Sequence, residues 1–318
     1  MINKISIIVG GSGQLGISLA KLLLKKKYKV IITTRNLASA KKKIPFRNKN
    51  LKLIKINILK KNEINNLLTK IRPNLIFYFA GQSSVHLSFK KIKITYLSNV
   101  KGCQNFLEIL HENKIKSKFI NASSSEIFAK TPNKLNIYSE KKPISPYGKA
   151  KLLSFNKTKF FRERKKINSY NAVFFNTESC YRDKNYLIPK ICLAAINAKK
   201  YNKKTFFGNL NIIREWNWSD EQTVYLMKFI NKKPQDFILS NGFCYSAKDM
   251  LSYAFEYFNL DYKEFIQANI KFKRENDFYY RRSNFTNCLK RNNIKRNSKI
   301  YGKKLIHKLI KNYLNEKN

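Results

Sequence analysis

A glycine-rich turn separates the first apolar run of the chain from its first amphipathic run. It reads GGSGQLG, so Gly10, Gly13 and Gly16 are spaced three and three apart. Glycine suits this position because the backbone takes unusual angles, a pyrophosphate approaches it closely, and the helix packs tightly on the strand. Free N–H groups at the helix N-terminus then face the phosphates. The motif predicts a dinucleotide-binding unit, and the alternative is an ordinary tight turn.

Short β-branched runs alternate with longer amphipathic runs through the first half of the chain. The predicted strands are Ile5 to Val9, Val30 to Thr34, Leu51 to Ile56, Leu75 to Phe79, Phe119 to Ala122 and Asn171 to Phe175. The predicted helices are Leu15 to Lys27, Glu63 to Ile71, Tyr96 to Asn113 and a stretch from Pro146 past Phe155. This order predicts an α/β fold of the Rossmann type, a doubly wound parallel sheet with its ligand site at the strand C-termini.

Beyond the sixth predicted strand the alternation weakens. Asp236 to Ser240 is typical of one more strand that returns to the sheet. We therefore expect residues 1–175, with a returning segment of about 214–242, to form the Rossmann domain that binds the dinucleotide. A smaller, interleaved C-terminal domain for substrate is expected from residues 176–213 and 243–318.

The chain is strongly basic, with 65 Lys and Arg against 19 Asp and Glu and a net charge of +46. The excess is spread along the whole chain, mostly as lysine, together with abundant Asn, Ile, Phe and Tyr. These residues have adenine- and thymine-rich codons, so genome composition explains much of the charge. We expect no nucleic-acid partner, and a polyanion-binding role is the alternative.

Cysteine and histidine spacing is not typical of a disulfide framework or a zinc site. These residues are Cys103, Cys180, Cys192, Cys244, Cys288, His86, His111 and His307. We therefore expect a reducing, cytoplasmic environment and no metal. The longest N-terminal apolar run, Ile5 to Val9, is too short for a secretion signal, and no run approaches the roughly 18 residues of a membrane span. A soluble protein without a membrane partner is expected.

The end of the second predicted strand indicates which dinucleotide binds. An NAD-specific site presents an acid there to the ribose 2′-hydroxyl. The first acidic residue of this chain is Glu63, whereas Arg35 directly follows Thr34 and can pair with a 2′-phosphate. The sequence therefore favours NADP over NAD, with a solvated Arg35 as the alternative.

A serine-rich run with a carboxylate follows the fifth predicted strand. It reads NASSSE from Asn121 to Glu126, which places its polar groups at the ligand-binding edge of the sheet. Further along, SPYGKAK begins at Ser145, and Tyr147 and Lys151 are four residues apart on one helix face. The Lys151 ammonium would stabilise a tyrosinate and lower the pKa of Tyr147, making it a base near neutrality.

With these motifs the sequence resembles the extended short-chain dehydrogenase/reductases of the NAD-dependent epimerase/dehydratase superfamily and, among them, the GDP-mannose 4,6-dehydratases. The resemblance covers most of the chain. Its further motifs are FAGQSSV from Phe79, SF from Ser88, FNTES from Phe175, PKI from Pro189, FGNL from Phe207 and REW from Arg214. These motifs discriminate between families better than the tyrosine and lysine, which recur throughout the superfamily.

The resemblance implies a hydro-lyase that converts GDP-mannose to GDP-4-keto-6-deoxymannose. Tyr147, assisted by Lys151, would take the sugar C4 hydroxyl proton while a hydride passes to NADP, and Ser124 would hold that oxygen. Glu126 would then take the C5 proton and assist loss of the C6 hydroxyl as water, before the hydride returns to C6. A carboxylate can act first as base and then as acid. A capping role is the alternative for Glu126.

The resemblance also implies the binding residues. Cofactor contacts fall on Gly10, Gly13, Gln14, Leu15, Gly16, Arg35, Asn57, Ile58, Phe79, Ala80, Gly81, Gln82, Ser83, Tyr96, Lys151, Thr177 and Arg182. Substrate contacts fall on Ser84, Ser88, Asn176, Lys190 and Arg214. Lys190 and Arg214 suit a diphosphate, although either could be surface charge.

Several positions depart from the family pattern. Asn57 replaces an aspartate, Ser84 and Thr177 replace histidines, Ala129 replaces a glycine, and Cys180-Tyr181 replaces Pro-Arg. The expected Arg-Pro-x-Glu-Val motif is reduced to YRRS, which leaves open whether Arg281 or Arg282 meets the diphosphate. Relatives form homodimers or homotetramers, so one of these assemblies is expected.

Other functions remain open from the sequence. Within the superfamily, the alternatives are another nucleotide-sugar dehydratase, an epimerase or a reductase. Epimerases and reductases have no use for the carboxylate of Glu126, which counts against them. A non-catalytic dinucleotide- or polyanion-binding protein is the alternative from a different class.

Overall fold

The computed structural model describes residues 4–268 and 280–315, and the chain divides into two compact units. The first unit comprises Met1–Ala129, Ile137–Phe174 and Thr223–Leu239. The second unit comprises Lys130–Asn136, Phe175–Gln222 and Ser240–Asn318. The assignment of a cofactor-binding and a substrate-binding domain, with the boundaries expected from the sequence, stays a prediction.

A parallel sheet forms the centre of the first unit. Its described strands, numbered along the whole chain, are β1 (Ile5–Val9), β2 (Lys29–Thr34), β3 (Leu51–Lys55), β4 (Leu75–Tyr78), β5 (Lys118–Ser124), β6 (Ser169–Phe174) and β11 (Asp236–Leu239). Their order is β3-β2-β1-β4-β5-β6-β11, and every pair is parallel. The strand order changes direction beside β1, as in doubly wound sheets. The predicted α/β fold of the Rossmann type is confirmed.

Helices connect these strands. They are α1 (Gln14–Lys25), α2 (Leu37–Lys43), α3 (Lys61–Ile71), α4 (Val85–Lys90), α5 (Ile92–Tyr96), α6 (Gly102–Glu112) and α7 (Pro146–Arg164). Apolar side chains of β1, β4, α3 and α6 form a buried core, to which Ile7, Ile76, Leu68 and Phe106 contribute. No helix in the described parts of the chain is both long and apolar enough to cross a membrane.

The helix predicted from Tyr96 to Asn113 is interrupted at its start. A π-helical turn, Leu97–Lys101, separates α5 from α6. The buried hydroxyl of Tyr78 in β4 donates to the Ser98 carbonyl at 2.7 Å within this turn. The change from α-helical to π-helical winding is thus accompanied by a hydrogen bond between Tyr78 and Ser98, which are 20 positions apart in the sequence. Amphipathic periodicity is a local pattern and does not reveal this change in winding.

An ion pair attaches the returning strand β11 to the rest of the first unit. Arg162 of α7 donates two hydrogen bonds to the Asp236 carboxylate, at 2.7 and 2.9 Å. The same carboxylate accepts a hydrogen bond from the Asn171 amide of β6 at 2.9 Å. Both members of the pair are largely buried, with 13% of each side chain exposed. Because the pair is bidentate and shielded from water, it constrains β11 more than a surface pair would.

The second unit contains short strands and amphipathic helices. The strands are β7 (Thr177–Glu178), β8 (Thr205–Phe207), β9 (Ile213–Arg214), β10 (Asn217–Trp218), β12 (Tyr245–Ser246), β13 (Ile266–Ala268) and β14 (Tyr280–Arg281). The helices are α8 (Leu187–Tyr201), α10 (Ala247–Glu256), α11 (Tyr262–Phe265), α12 (Phe285–Arg291) and α13 (Gly302–Asn315), and α9 (Ser219–Phe229) belongs to both units. Helices α8, α10 and α13 enclose a core that includes both tryptophans of the chain.

We expect Asp236→Ala to destabilise the protein by about 3 kcal/mol, because it leaves the Arg162 guanidinium buried without its carboxylate. Equilibrium urea unfolding measures the effect. Glu163→Ala, next to Arg162 on α7, is the matched control. It removes only the exposed pair with Lys159, whose nitrogen and oxygen are 3.9 Å apart, and should change the free energy of unfolding by less than about 0.5 kcal/mol. Equal effects of the two variants would contradict a structural role for the buried pair.

Candidate active site

The C-terminal end of β5 carries two of the predicted catalytic residues. The strand continues to Ser124, two residues beyond its predicted end, and a single 3₁₀ turn, Ser125–Ile127, follows it. The Ser124 hydroxyl accepts a hydrogen bond from the N–H of Glu126 at 3.3 Å. Both side chains are half-buried. A hydroxyl and a carboxylate are therefore presented together at the edge of the sheet where ligands of doubly wound folds bind.

The first turns of α7 carry the other two predicted catalytic residues, Tyr147 and Lys151. Ser145 caps the helix by accepting a hydrogen bond from the N–H of Gly148 at 3.0 Å, and Pro146 occupies the first helical position. Serine and proline both favour a helix start at these positions. Tyr147 and Lys151 follow one turn apart and are 8% and 7% exposed. Both side chains are thus held in defined positions.

Gly148 brings α7 into contact with the turn after β5. A Cβ atom at this position would lie 2.5 Å from the Glu126 carbonyl oxygen and 2.9 Å from Cβ of Pro143. Any side chain at residue 148 would push the helix away from that turn. The structure therefore brings Ser124, Glu126, Tyr147 and Lys151 together. Gly148 lies between the tyrosine and the lysine, but no local pattern marks it as a site residue, because the turn that it contacts lies more than 20 residues earlier in the chain.

Lys151 connects α7 with the C-terminal end of β5. Its ammonium donates to the Ala122 carbonyl of β5 at 2.8 Å and lies 5.8 Å from the centre of the Tyr147 ring. Burial lowers the pKa of Lys151 to about 8. At neutral pH the amine is therefore mostly protonated and places a positive charge beside the tyrosine.

The glycine turn has the geometry that a pyrophosphate requires. Gly10 has φ +74°, and a Cβ atom there would lie 2.6 Å from Cα of Ala80. Gly13 is the N-cap of α1; it supplies no capping side chain, and a Cβ atom at Gly13 would meet only the Gly10 carbonyl oxygen, at 3.7 Å. The first turn of α1 contains no acidic residue. Open space beside the first turn and the positive end of α1 fits the diphosphate of a dinucleotide.

The ends of β2 and β3 lie next along the predicted cofactor site. Arg35, directly after β2, is exposed and makes no hydrogen bond or ion pair with the residues in 4–268 and 280–315. The carboxylate of Glu63 accepts the N–H of Asn57 at 2.7 Å, just after β3. The Ile58 carbonyl accepts a hydrogen bond from Asn105 at 3.0 Å. The first acid of the chain therefore binds the loop after β3.

The loop after β4 is held by the π-helical turn. The N–H of Gln82 donates to the Ser98 hydroxyl at 3.2 Å, and its carbonyl accepts from the Asn99 amide at 3.1 Å. Tyr96, at the junction of α5 and the π-helical turn, is 45% exposed. The loop contains the predicted cofactor residues Phe79, Ala80, Gly81, Gln82 and Ser83. Sequence reasoning missed Ser98 and Asn99, because their partners are more than ten positions away.

Two serines predicted to bind substrate have structural contacts. Ser84 caps α4 by accepting the N–H of Leu87 at 3.2 Å. Ser88 is fully buried, and its hydroxyl donates to the Val85 carbonyl at 2.6 Å. Ser84 therefore stabilises the start of α4, and the Ser88 hydroxyl is engaged within the same helix.

Four predicted binding residues lie near β7 and α8 in the second unit. The Asn176 carbonyl accepts the N–H of Asn217 at 2.9 Å. Thr177 is buried, and its carbonyl accepts a hydrogen bond from Arg182 at 2.8 Å. The Lys190 ammonium donates to a backbone carbonyl, that of Phe206, at 2.6 Å, and burial lowers the pKa of this lysine. The side chains of Arg182 and Lys190 thus help to fix their own backbone surroundings.

Two arginines are buried side by side in the second unit. Arg214 of β9 and Arg281 of β14 are paired in register and are 5% and 1% exposed. Arg282 lies next to Arg281 but donates to the Pro132 carbonyl at 2.7 Å. Arg281, rather than Arg282, is therefore the register partner of Arg214, and which of the two meets the diphosphate stays a prediction. Two arginines buried at paired strand positions place two positive charges in one small sheet, which suits a diphosphate.

The comparison with known families agrees with this geometry. A profile of the family described as GDP-mannose 4,6 dehydratase matches residues 7–301. The chain belongs to the GDP-mannose 4,6 dehydratase family. It is 28% identical over 287 residues to GDP-mannose 4,6 dehydratase 2 of Arabidopsis thaliana, covering 85% of this chain and 77% of that relative. It is also 28% identical to GDP-mannose 4,6-dehydratase of Vibrio cholerae serotype O1, covering 79% and 71% of the two chains.

Solved structures share the fold of this family member. A UDP-N-acetylglucosamine 4-epimerase from Methanobrevibacter ruminantium superposes with a TM-score of 0.86 at 18% identity, covering 99% of this chain and 100% of that one. A dTDP-glucose 4,6-dehydratase from Streptomyces venezuelae, solved with NAD bound, superposes with a TM-score of 0.85 at 15% identity, covering 98% of each chain. At these identities the similarity establishes the fold alone.

We expect the stability difference between wild type and Lys151→Met to depend on pH. Burial lowers the pKa of Lys151 to about 8 from the ordinary 10.5 of the unfolded chain. Between these values the unfolded chain binds the proton and the folded protein does not, so folding becomes more favourable as pH rises. The free energy of unfolding of wild type should rise relative to that of Lys151→Met by about 1.4 kcal/mol per pH unit above pH 8.

Urea unfolding between pH 7 and pH 10 measures this difference. The exposed Lys149→Met on the same helix is the matched control. A difference between wild type and Lys151→Met that does not change with pH would contradict the lowered pKa.

Proposed function

We propose that this protein is an NADP-dependent sugar-nucleotide 4,6-dehydratase that converts GDP-mannose to GDP-4-keto-6-deoxymannose. The observation that carries the proposal is the contact between Gly148 and the main chain of Glu126. It joins a tyrosine and a carboxylate, two groups that can each remove one proton from the sugar. The names of the curated relatives support GDP-mannose as the substrate.

When bound at the glycine turn, NADP would accept a hydride from C4 of the sugar and later return one to C6. Tyr147 takes the proton of the C4 hydroxyl, because the neighbouring Lys151 ammonium stabilises the phenolate form. The Ser124 hydroxyl donates a hydrogen bond to the same sugar oxygen and orients it. Ser124 is the last residue of β5. Lys151, on the same helix as Tyr147, donates a hydrogen bond to the Ala122 carbonyl of this strand.

Glu126 performs the second proton removal. The ketone at C4 makes the proton on C5 acidic, and the half-buried Glu126 carboxylate takes this proton. The protonated carboxyl then donates to the C6 hydroxyl, which leaves as water. A single carboxylate suffices for the elimination, because the proton gained in the first step is the proton required in the second. When the hydride returns to C6, C5 takes up one proton. The proton that Tyr147 received from the C4 hydroxyl balances this uptake, so both side chains return to their starting protonation states. The double use of Glu126 distinguishes a dehydratase from an epimerase, which eliminates no water.

The buried pair Arg214 and Arg281 supports a diphosphate-bearing substrate. Two guanidinium groups can each form bidentate hydrogen bonds with phosphate oxygens. Lys190, with its ammonium 4.6 Å from the Phe207 ring centre, adds a third positive charge in the same unit. We assign the diphosphate of the nucleotide sugar to these residues. The expected homodimer or homotetramer and the cytoplasmic location stay predictions.

Arg35 supports NADP as the cofactor. It directly follows β2, where dinucleotide folds meet the adenosine ribose, and its side chain is exposed. The nearby acid, Glu63, accepts a backbone hydrogen bond in the loop after β3. A 2′-phosphate beside Arg35 gains a charge-assisted hydrogen bond that a 2′-hydroxyl cannot provide.

Incubation with GDP-mannose and NADP should give a 4-keto-6-deoxy sugar nucleotide with no net NADPH, as followed by NMR and absorbance. Tyr147→Phe should lower turnover roughly 10²- to 10⁴-fold while NADP still binds. Glu126→Gln should abolish both dehydration and the incorporation of solvent deuterium at C5. Tyr138→Phe, at a tyrosine that is 78% exposed, and Glu140→Gln, at an exposed glutamate, are matched controls.

Three outcomes would contradict this proposal. Turnover by Tyr147→Phe at the wild-type rate would exclude Tyr147 as the base. Steady accumulation of NADPH would indicate a dehydrogenase. Inversion at C4 without loss of water would indicate an epimerase.

We expect NADP to bind more tightly than NAD. Arg35→Ser should reduce this preference roughly 10- to 100-fold, because it removes one charge-assisted hydrogen bond to the 2′-phosphate. Calorimetric titration of both dinucleotides measures the ratio of the two dissociation constants. Arg47→Ser, at another exposed arginine, is the matched control. An unchanged ratio for Arg35→Ser would mean that Arg35 does not contact the 2′-phosphate.

A further inference from the structure

Glu215 is a buried carboxylate that directly follows Arg214 and is 1% exposed. It accepts hydrogen bonds from the N–H and the hydroxyl of Ser283, each at 2.6 Å. It also accepts from the Ser240 hydroxyl and, at 3.7 Å, from the Cys244 thiol. All four partners donate, so Glu215 acts here as an acceptor. The carboxylate therefore joins segments that are far apart in the sequence.

Two of these segments border the small sheet that carries the buried arginines. Its strand order is β12-β9-β14, and each of its described strands has two residues. Cys244 directly precedes β12, and Ser283 lies two residues after Arg281 of β14. Two-residue strands form few backbone hydrogen bonds and hold their register weakly. Glu215 lies just past the end of the central strand β9. Its hydrogen bonds connect β9 to Cys244, beside β12, and to Ser283, beside β14.

The role of Glu215 is geometric rather than charge-neutralising. Within residues 4–268 and 280–315 it forms no ion pair; its partners are one backbone amide, two hydroxyls and one thiol. Burial raises the pKa of Glu215, and the hydrogen bonds from Ser240 and Ser283 oppose that rise. A buried carboxylate is costly unless several donors satisfy it, as they do here.

A second support holds the segment after β14 independently of Glu215. The N–H of Leu135 donates to the Arg282 carbonyl at 2.8 Å, and the N–H of Asn284 donates to the Leu135 carbonyl at 2.7 Å. Loss of the Glu215 contacts should therefore let Arg281 shift relative to Arg214 without unfolding the unit.

We propose that Glu215 is a positioning residue for substrate binding, which sets the spacing of Arg214 and Arg281 and thereby determines how tightly they bind the substrate diphosphate. The inference rests on the proposed nucleotide-sugar substrate. Bidentate binding requires both guanidinium groups to face the phosphate oxygens, so a displacement of about 1 Å weakens it substantially.

Binding of GDP and UDP to the full-length protein, measured by calorimetry, tests this role. Glu215→Ala should lower the affinity for the nucleoside diphosphate at least about tenfold, as for loss of one charged hydrogen bond, and leave NADP binding unchanged. In turnover assays it should raise KM for GDP-mannose and leave kcat unchanged. Glu221→Ala is the matched control, because Glu221 accepts the N–H groups of Lys299 and Ile300 in the same unit, at 2.8 and 3.1 Å.

Two further variants separate positioning from general stability. In Glu215→Gln, the amide oxygen can accept the Ser283 N–H while the amide NH₂ donates to the two serine hydroxyls, so GDP affinity should stay within about threefold of wild type. In an Arg281→Ala background, Glu215→Ala should cause little further loss, because both changes act through one guanidinium group. Should Glu215→Ala fail to fold, Ser283→Ala replaces it, with a smaller loss that also disappears in the Arg281→Ala background.

The positioning role would be overturned if Glu215→Ala, or its replacement Ser283→Ala, left the affinity for the nucleoside diphosphate unchanged. It would also be overturned if the loss of affinity added to that of Arg281→Ala in the double variant. Either result would leave the proposed function intact. A wild-type protein that binds neither GDP nor UDP would overturn the proposed function and this inference with it.

Discussion

The helix that carries Tyr147 and Lys151 lies against the turn that carries Glu126 because residue 148 has no side chain. A Cβ atom at that position would overlap the Glu126 carbonyl oxygen, 2.5 Å away. The distance between α7 and β5 in turn lets the Lys151 ammonium reach the Ala122 carbonyl. Burial of that amine, and the positive charge that it places beside the tyrosine, both depend on this close packing.

Carboxylates are scarce in this basic chain, and several of them bind backbone N–H groups. Glu63 accepts the N–H of Asn57, Glu215 that of Ser283, and Glu221 those of Lys299 and Ile300. Asp236 instead pairs with Arg162 and attaches β11. Surface ion pairs contribute little to stability, whereas a partly buried carboxylate with several donors constrains the segments that it joins. These four carboxylates thus act at joints of the fold.

Much of the first unit follows from local patterns, and the second unit follows from them much less. Runs rich in β-branched and other apolar residues predicted each described strand of the parallel sheet. Several of these strands, such as β1 and β4, are buried over most or all of their length and are therefore nearly continuously apolar. The same reasoning missed the π-helical turn at Leu97–Lys101, which involves a hydrogen bond from the distant Tyr78. It also left Arg281 and Arg282 undecided. Only the register of β14 beside β9 distinguishes the buried arginine from its neighbour.

The sequence by itself determined the α/β alternation, the glycine turn at Gly10 to Gly16, and the one-turn spacing of Tyr147 and Lys151. Each depends on residues close together in the chain, whose periodicity and backbone preferences act locally. The tertiary structure decided that Lys151 is buried, that Gly148 meets Glu126, and that Arg214 lies beside Arg281. Burial, close approach and strand register arise between residues far apart in sequence, and no local pattern encodes them.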